Sequence, residues 1–153
     1  YIGIYEEDKA VGLYRKQAYI NTLKNNNIDI NYENIKSGDF EEKSGYILTK
    51  EIMERGDIPT AIVAVTDNLA LGAIEYLMEN KYRVPEDIAV VGMGDSRIAR
   101  VITPKLTTIH YYYKTAGRKS AEIILKNLVN EKKEECIIEK IKLDCLLVER
   151  NSV

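Results

Sequence analysis

Two uninterrupted apolar runs, Ala61-Ile62-Val63-Ala64-Val65 and Ile88-Ala89-Val90-Val91-Gly92, constrain this chain more than any other feature. A strand with one wet face alternates apolar and polar residues. A run with no polar residue reads as a strand buried on both faces. Between the two, Thr66-Asp67-Asn68 supplies N-cap side chains for an apolar helix over 69–80, and Val84-Pro85-Glu86-Asp87 reads as a turn. Strand, helix, strand with short links is a βαβ unit, and such units build parallel sheets.

The rest of the chain continues the alternation. Tyr1-Ile2-Gly3-Ile4-Tyr5 is β-rich, and Val11, Tyr14, Ala18 and Leu23 could share one side of a helix over 10–24. A weak strand over 28–35 and a helix over 41–55, closed by Gly56, follow. Further on come an extended stretch at 106–110, a helix over 115–130 and one or two strands over 137–148. The expected fold class is α/β, a parallel sheet flanked by helices.

Composition narrows the function. With 22 Lys+Arg against 24 Asp+Glu the net charge is −2, so there is no sequence-wide basic field to hold nucleic acid. At 45% hydrophobic and 30% charged, the chain is too apolar for disorder. No apolar run approaches the roughly 20 residues that span a bilayer, and no signal-peptide pattern is present. Cys136 and Cys145 are too few and too far apart for a zinc site or redox pair. A cytoplasmic protein without metal or cofactor is expected. The chain opens at Tyr1, inside a strand-like run and without an initiator Met, and so reads as a piece of something longer.

Open parallel sheets bind ligands beyond the carboxyl ends of their strands, so the residues just after each strand are the informative ones. Asp67 is either a helix cap beside Thr66 or an acceptor for ligand hydroxyls; a carboxylate has lone pairs for both. Arg15 is either solvated or turned into the cleft to hold a carboxylate, phosphate or hydroxyl pair. Phe40, the only Phe, either tucks into the core or packs on a ring at the cleft mouth. Gly92-Met93-Gly94 lacks the third glycine of a dinucleotide fingerprint, and Asp95-Ser96-Arg97 follows at once. Tyr111-Tyr112-Tyr113 is a packing run or a hydrogen-bonding platform. His110, the only histidine, has no nucleophile pattern around it and reads as structural. No pair of carboxylates builds a catalytic case, and the expectation is that the protein is not an enzyme.

Several ordered segments resemble the lactose-repressor/galactose-repressor family. They are Pro59-Thr60-Ala61-Ile62 running into Thr66-Asp67-Asn68-Leu69-Ala70-Leu71-Gly72-Ala73, then 84–92, and then Pro104-Lys105-Leu106-Thr107-Thr108-Ile109. Ser37-Gly38-Asp39-Phe40, Arg15 with Ala18-Tyr19, and the closing Leu147-Val148-Glu149-Arg150-Asn151-Ser152 match as well. The resemblance implies a two-lobed, periplasmic-binding-protein-like effector domain of type I. Residues 1–109 would form the second lobe, 110–136 would cross into the first lobe, and 137–153 would return. The DNA-binding headpiece and most of the first lobe would be absent, leaving operator DNA to the missing headpiece.

The resemblance also implies a small-molecule effector, a saccharide or phosphorylated saccharide, and a regulator of carbohydrate-utilisation genes. The stretch 112–118 is similar to trehalose-operon repressors, whose effector is a phosphosugar. Arg15 would clamp the effector, Phe40 would pack on it, Asp67 with Thr66 would line the cleft, and Tyr111 would touch the ligand between the lobes. Where many relatives have an acid, this chain has Gly94, with Asp95 one step on. The family's homodimer would use Leu69, Leu71, Gly72, Ala73, Tyr76 and Ile102. The helix over 69–80 is apolar around most of its circumference, a surplus that itself suggests a second partner. The rival readings are a periplasmic-type sugar-binding protein of a transporter and an α/β enzyme; residues upstream of Tyr1 would separate the regulator from the transporter protein.

Overall fold

A computed structural model describes residues 1–129 and 140–153. β1 (Ile2–Ile4) runs parallel to β2 (Lys36–Gly38), with Ile2 opposite Lys36. β3 (Ala61–Val63), β4 (Ala89–Met93) and β5 (Thr107–Tyr111) are parallel neighbours, and β6 (Cys145–Val148) closes the edge antiparallel to β5. A parallel bridge between Ile2 and Ala64 joins the two groups. The carboxyl ends of β1 to β5 therefore open along one edge.

The helices are α1 (Tyr14–Asn25), α2 (Glu42–Met53), α3 (Asp67–Glu79), α4 (Arg97–Val101) and α5 (Tyr113–Val129). The Thr66 hydroxyl accepts from the Leu69 N–H at 3.2 Å, the N-cap that the sequence indicates. α2 and α3 lie side by side on one face of the sheet over Ile62, Ala64, Val90 and Leu106, all at most 1% exposed. Two glycines allow this closeness. A Cβ on Gly72 would stand 2.0 Å from the Glu42 carbonyl, and one on Gly45 would stand 2.2 Å from the Leu69 carbonyl. The two backbones touch, so neither position accepts a side chain.

This packing corrects the expected dimer stripe. Leu69 and Ala73 are fully buried, Tyr76 is 7% exposed and Gly72 is buried, so all four lie inside the fold of one chain. The apolar surplus of α3 is largely absorbed by α2. What stays accessible on this side is Leu71 and Ile102, both half-buried, with Met78 and Val101 at 52% and 67% exposure.

Three boundaries also differ from expectation. The strand expected over 28–35 is instead a 3-10 turn (Tyr32–Asn34) followed by β2. The Asn31 side chain accepts from the Glu33 N–H at 3.0 Å, which favours the turn, and pairing with β1 places the strand after it. The first helical turn, Lys9–Leu13, is a wider π-type turn capped by Asp8. At the carboxyl end, 140–144 is not a strand; residues 137–139, expected to begin one, lie outside the described residues.

Candidate functional site

The carboxyl edge is where the chain leaves each strand with its polar backbone uncommitted, and α1 is aimed at it from below. The Asp8 carboxylate accepts from the N–H groups of Ala10 at 2.9 Å and Val11 at 2.8 Å, which fixes how the helical segment leaves β1. Arg15, in the first turn of α1, then reaches across three strands. Its Nη1 donates to the Val65 carbonyl just beyond β3 and lies 3.9 Å from the Met93 sulfur at the end of β4. Its guanidinium carbon sits 5.4 Å from the centre of the Tyr111 ring at the end of β5, a cation–π contact. The Tyr111 hydroxyl points to the same sulfur at 3.8 Å.

Arg15, Met93, Tyr111 and the Val65 carbonyl are thus one cluster. Among the described residues no carboxylate pairs with Arg15, and its Nε and Nη2 donate to no protein acceptor. A half-buried guanidinium with unspent N–H groups can hold the oxygens of a ligand, and the Tyr111 ring beside it offers a flat apolar surface. Phe40, 45% exposed, stands at the same edge just after β2. Tyr5 does so after β1, at 58% exposure. Thr66 is half-exposed. Sequence reasoning places Met93 at the ligand edge after a strand but gives it no role in the site. Its alternation with buried Val90 and Gly92 tells which face it takes but not what it meets.

Asp67 and Asp95 depart from the expected role. Asp67 is 3% exposed and both its oxygens are taken: Oδ1 accepts from the Thr108 hydroxyl and Oδ2 from the Ser96 N–H at 2.7 Å. It reaches Thr108 by passing over β4 where Gly92 leaves room; a Cβ there would stand 2.6 Å from Oδ1. Gly92, within β4, therefore clears a path for a bracing carboxylate. Gly94 at φ +140° sits against the same group, its would-be Cβ 3.2 Å from Oδ2, in a conformation reserved for glycine.

Asp95 is 6% exposed, and its carboxylate accepts from Arg150 and from Arg100 at 2.7 Å, with His110 Nδ1 at 2.9 Å. Burial alone would raise its pKa. The hydrogen bonds from Arg100, Arg150 and His110 outweigh that and hold it at about 2. At 3% and 6% exposure, both acids are turned inward onto the protein's own donors. His110 is accounted for by this ion cluster and by the rings of Tyr112 and Tyr113, 5.3 and 5.7 Å away. Among the described residues there is no group of three or more His, Cys, Asp or Glu that could hold a metal ion, and no helix long and apolar enough to cross a membrane.

Comparison with known proteins gives a consistent result. A family model described as a periplasmic binding protein-like domain matches residues 1–153. The HTH-type transcriptional repressor PurR of Photorhabdus laumondii is 37% identical over 139 residues, which cover 91% of this chain and 40% of that protein. A solved complex of the transcriptional regulator CelR with cellobiose is 28% identical with a TM-score of 0.88, matching 99% of this chain and 46% of its own. The lac repressor dimer bound to operator and the anti-inducer ONPF is 29% identical with a TM-score of 0.79, at 90% and 40% coverage. The chain spans less than half the length of each of these proteins.

Proposed function

The chain belongs to the periplasmic binding protein-like domain family, and we propose that it is a part, mostly the second lobe, of the effector-sensing region of a DNA-binding transcriptional repressor of the lactose-repressor/galactose-repressor type. The observation that carries this reading is Arg15, braced on the Val65 carbonyl and the Tyr111 ring with N–H groups left over for a ligand. The names of the related proteins, repressors and regulators, favour a regulator over the binding protein of a transporter and over an enzyme.

The effector in this reading is a saccharide or phosphorylated saccharide. Arg15 holds its oxygens, the Tyr111 and Phe40 rings pack on its faces, the Thr66 hydroxyl adds a polar contact, and Gly94 leaves space at the rim. Asp67 and Asp95 brace the floor without touching it. Of the segment expected to cross to a first lobe, the described part, 110–129, gives the exposed Ile124, Leu125 and Leu128 of α5 a surface to cover, and 140–153 return. Operator contacts belong to parts of the protein outside this chain. A second copy docks on the face bearing Leu71, Met78, Val101 and Ile102. The effector acts by population shift, favouring the lobe arrangement to which it binds more tightly.

Titration calorimetry on the intact protein tests this, with cellobiose, trehalose and their phosphates as probes. At least one binds, and Arg15→Ala weakens that binding by roughly 2–4 kcal/mol because a ligand oxygen loses a charged donor. Unchanged affinity would remove Arg15 from the site. Binding by none of the four would overturn the saccharide class.

A further inference from the structure

The ion cluster at Asp95 does more than neutralise a buried charge. Its donors come from three separate stretches of chain: Arg100 from α4, His110 from β5, and Arg150 from the segment after β6. These are the short helix on the accessible apolar face, the strand leaving the sheet for α5, and the segment that follows the returning strand. We propose that Asp95 is a joint that couples the outgoing and returning segments to α4, so that a rearrangement at the cleft edge is felt at the face bearing Leu71 and Val101.

Several features make the joint stiff. The Asp95 N–H donates to the Thr108 hydroxyl at 3.3 Å, and the next N–H, of Ser96, is held by Asp67. Asp95 adopts φ +50°, a left-handed conformation that aspartate accepts more readily than most residues. Arg150 is held independently: its Nη1 donates to the Leu106 carbonyl at 2.7 Å and its N–H to the Thr107 hydroxyl at 2.9 Å. Arg100 bends back onto the same residue through two nitrogens, at 2.7 and 3.3 Å from the two carboxylate oxygens. A displaced carboxylate would leave all three donors without their shared acceptor, so breaking the joint costs several charge-assisted bonds at once.

The cleft enters through β5. His110 and Tyr111 are successive residues facing opposite sides of the sheet. A shift of β5 that moves the Tyr111 ring under Arg15 must also move the imidazole against Asp95. The purpose of the joint rests on the effector-sensing reading; its geometry does not.

The test uses unfolding equilibria and amide hydrogen exchange of the intact protein, with no ligand, so its result is separable from the Arg15 titration. Arg100→Ala and His110→Gln should be non-multiplicative in the unfolding constant by about threefold or more when Asp95 is present, and multiplicative in the Asp95→Asn background. Tyr111→Ala should raise exchange at the amides of α4 by about threefold in the wild type and leave it unchanged in Asp95→Asn. Multiplicative effects with Asp95 present, or a Tyr111→Ala response confined to β5, would overturn the joint. Arg100 is 55% exposed, so its variant keeps the fold, and the wild-type-background cycle decides the matter even if Asp95→Asn does not fold.

Discussion

The two faces of the sheet are built from the same apolar strands and are buried to very different extents. On the side of α2 and α3, Ile62, Ala64, Val90, Leu106 and Thr108 are at most 1% exposed. On the opposite side α1 covers β1, where the Tyr1 and Tyr19 rings stack at 4.9 Å, but Val63, Val91 and Ile109 stay half-buried and Ala61 is exposed. Side chains in a strand alternate, so each run of valine, isoleucine and alanine contributes equally to both faces. The difference comes from the helices: two of them are brought into backbone contact over one face by Gly45 and Gly72, and one lies at the margin of the other. Apolar sequence marks what can be buried; helix placement settles how deeply.

The comparison is broken most severely at the glycine contact. Gly72→Ala places a methyl group against the Glu42 carbonyl and should prise α2 from α3, costing roughly 3 kcal/mol or more in urea unfolding. Wild-type stability in this variant would show that the helices can part without loss.

Next in size is a matched pair on one strand. Ile62→Ala, on the covered face, should cost about 2–5 kcal/mol, whereas Val63→Ala, on the open face, should cost about 1 kcal/mol or less. Equal costs in parallel urea melts would mean that the open face is as well packed as the covered one.

The smallest expected effect is acid sensitivity at the carboxyl edge. The folded pKa of Asp95 lies at about 2, below its ordinary 3.8, so its ion cluster stabilises the fold fully above that ordinary value. The contribution fades as pH falls from about 4 toward 2. A series of thermal melts across this window should show Asp95→Asn with a shallower loss of stability than wild type; parallel curves would place the acid-labile group elsewhere.

Much of the scaffold was legible because local chemistry and tertiary need agree there. The runs at 61–65 and 88–92 became β3 and β4, and Thr66 caps α3 as its side chain suggests. β2 was misplaced because its three residues, Lys-Ser-Gly, have no strand character of their own. Only pairing with β1 makes them a strand, and the more apolar stretch before them is diverted into a turn by Asn31. At the site, Arg15 could be picked out as a long cation entering a helix near the cleft. Its bond to Val65, fifty positions away, could not.

The acids show where sequence stops. An aspartate following a strand has the same local signature whether it faces a ligand or a neighbouring side chain. Asp67 and Asp95 are turned inward by partners from distant segments: Thr108 and Ser96 for one, Arg100, His110 and Arg150 for the other.

The sequence by itself determined the α/β class, the order of the central elements and the edge at which the parallel strands end. Periodicity, capping and strand composition are local properties, and parallel strands joined by short links leave one handed way to pack. Only the tertiary structure decided which face is sealed, which apolar residues of α3 stay accessible, and which polar side chains remain free at the carboxyl edge. Those outcomes depend on how closely two backbones approach and on which donor reaches a carboxylate first, and both are set by residues far apart in the chain.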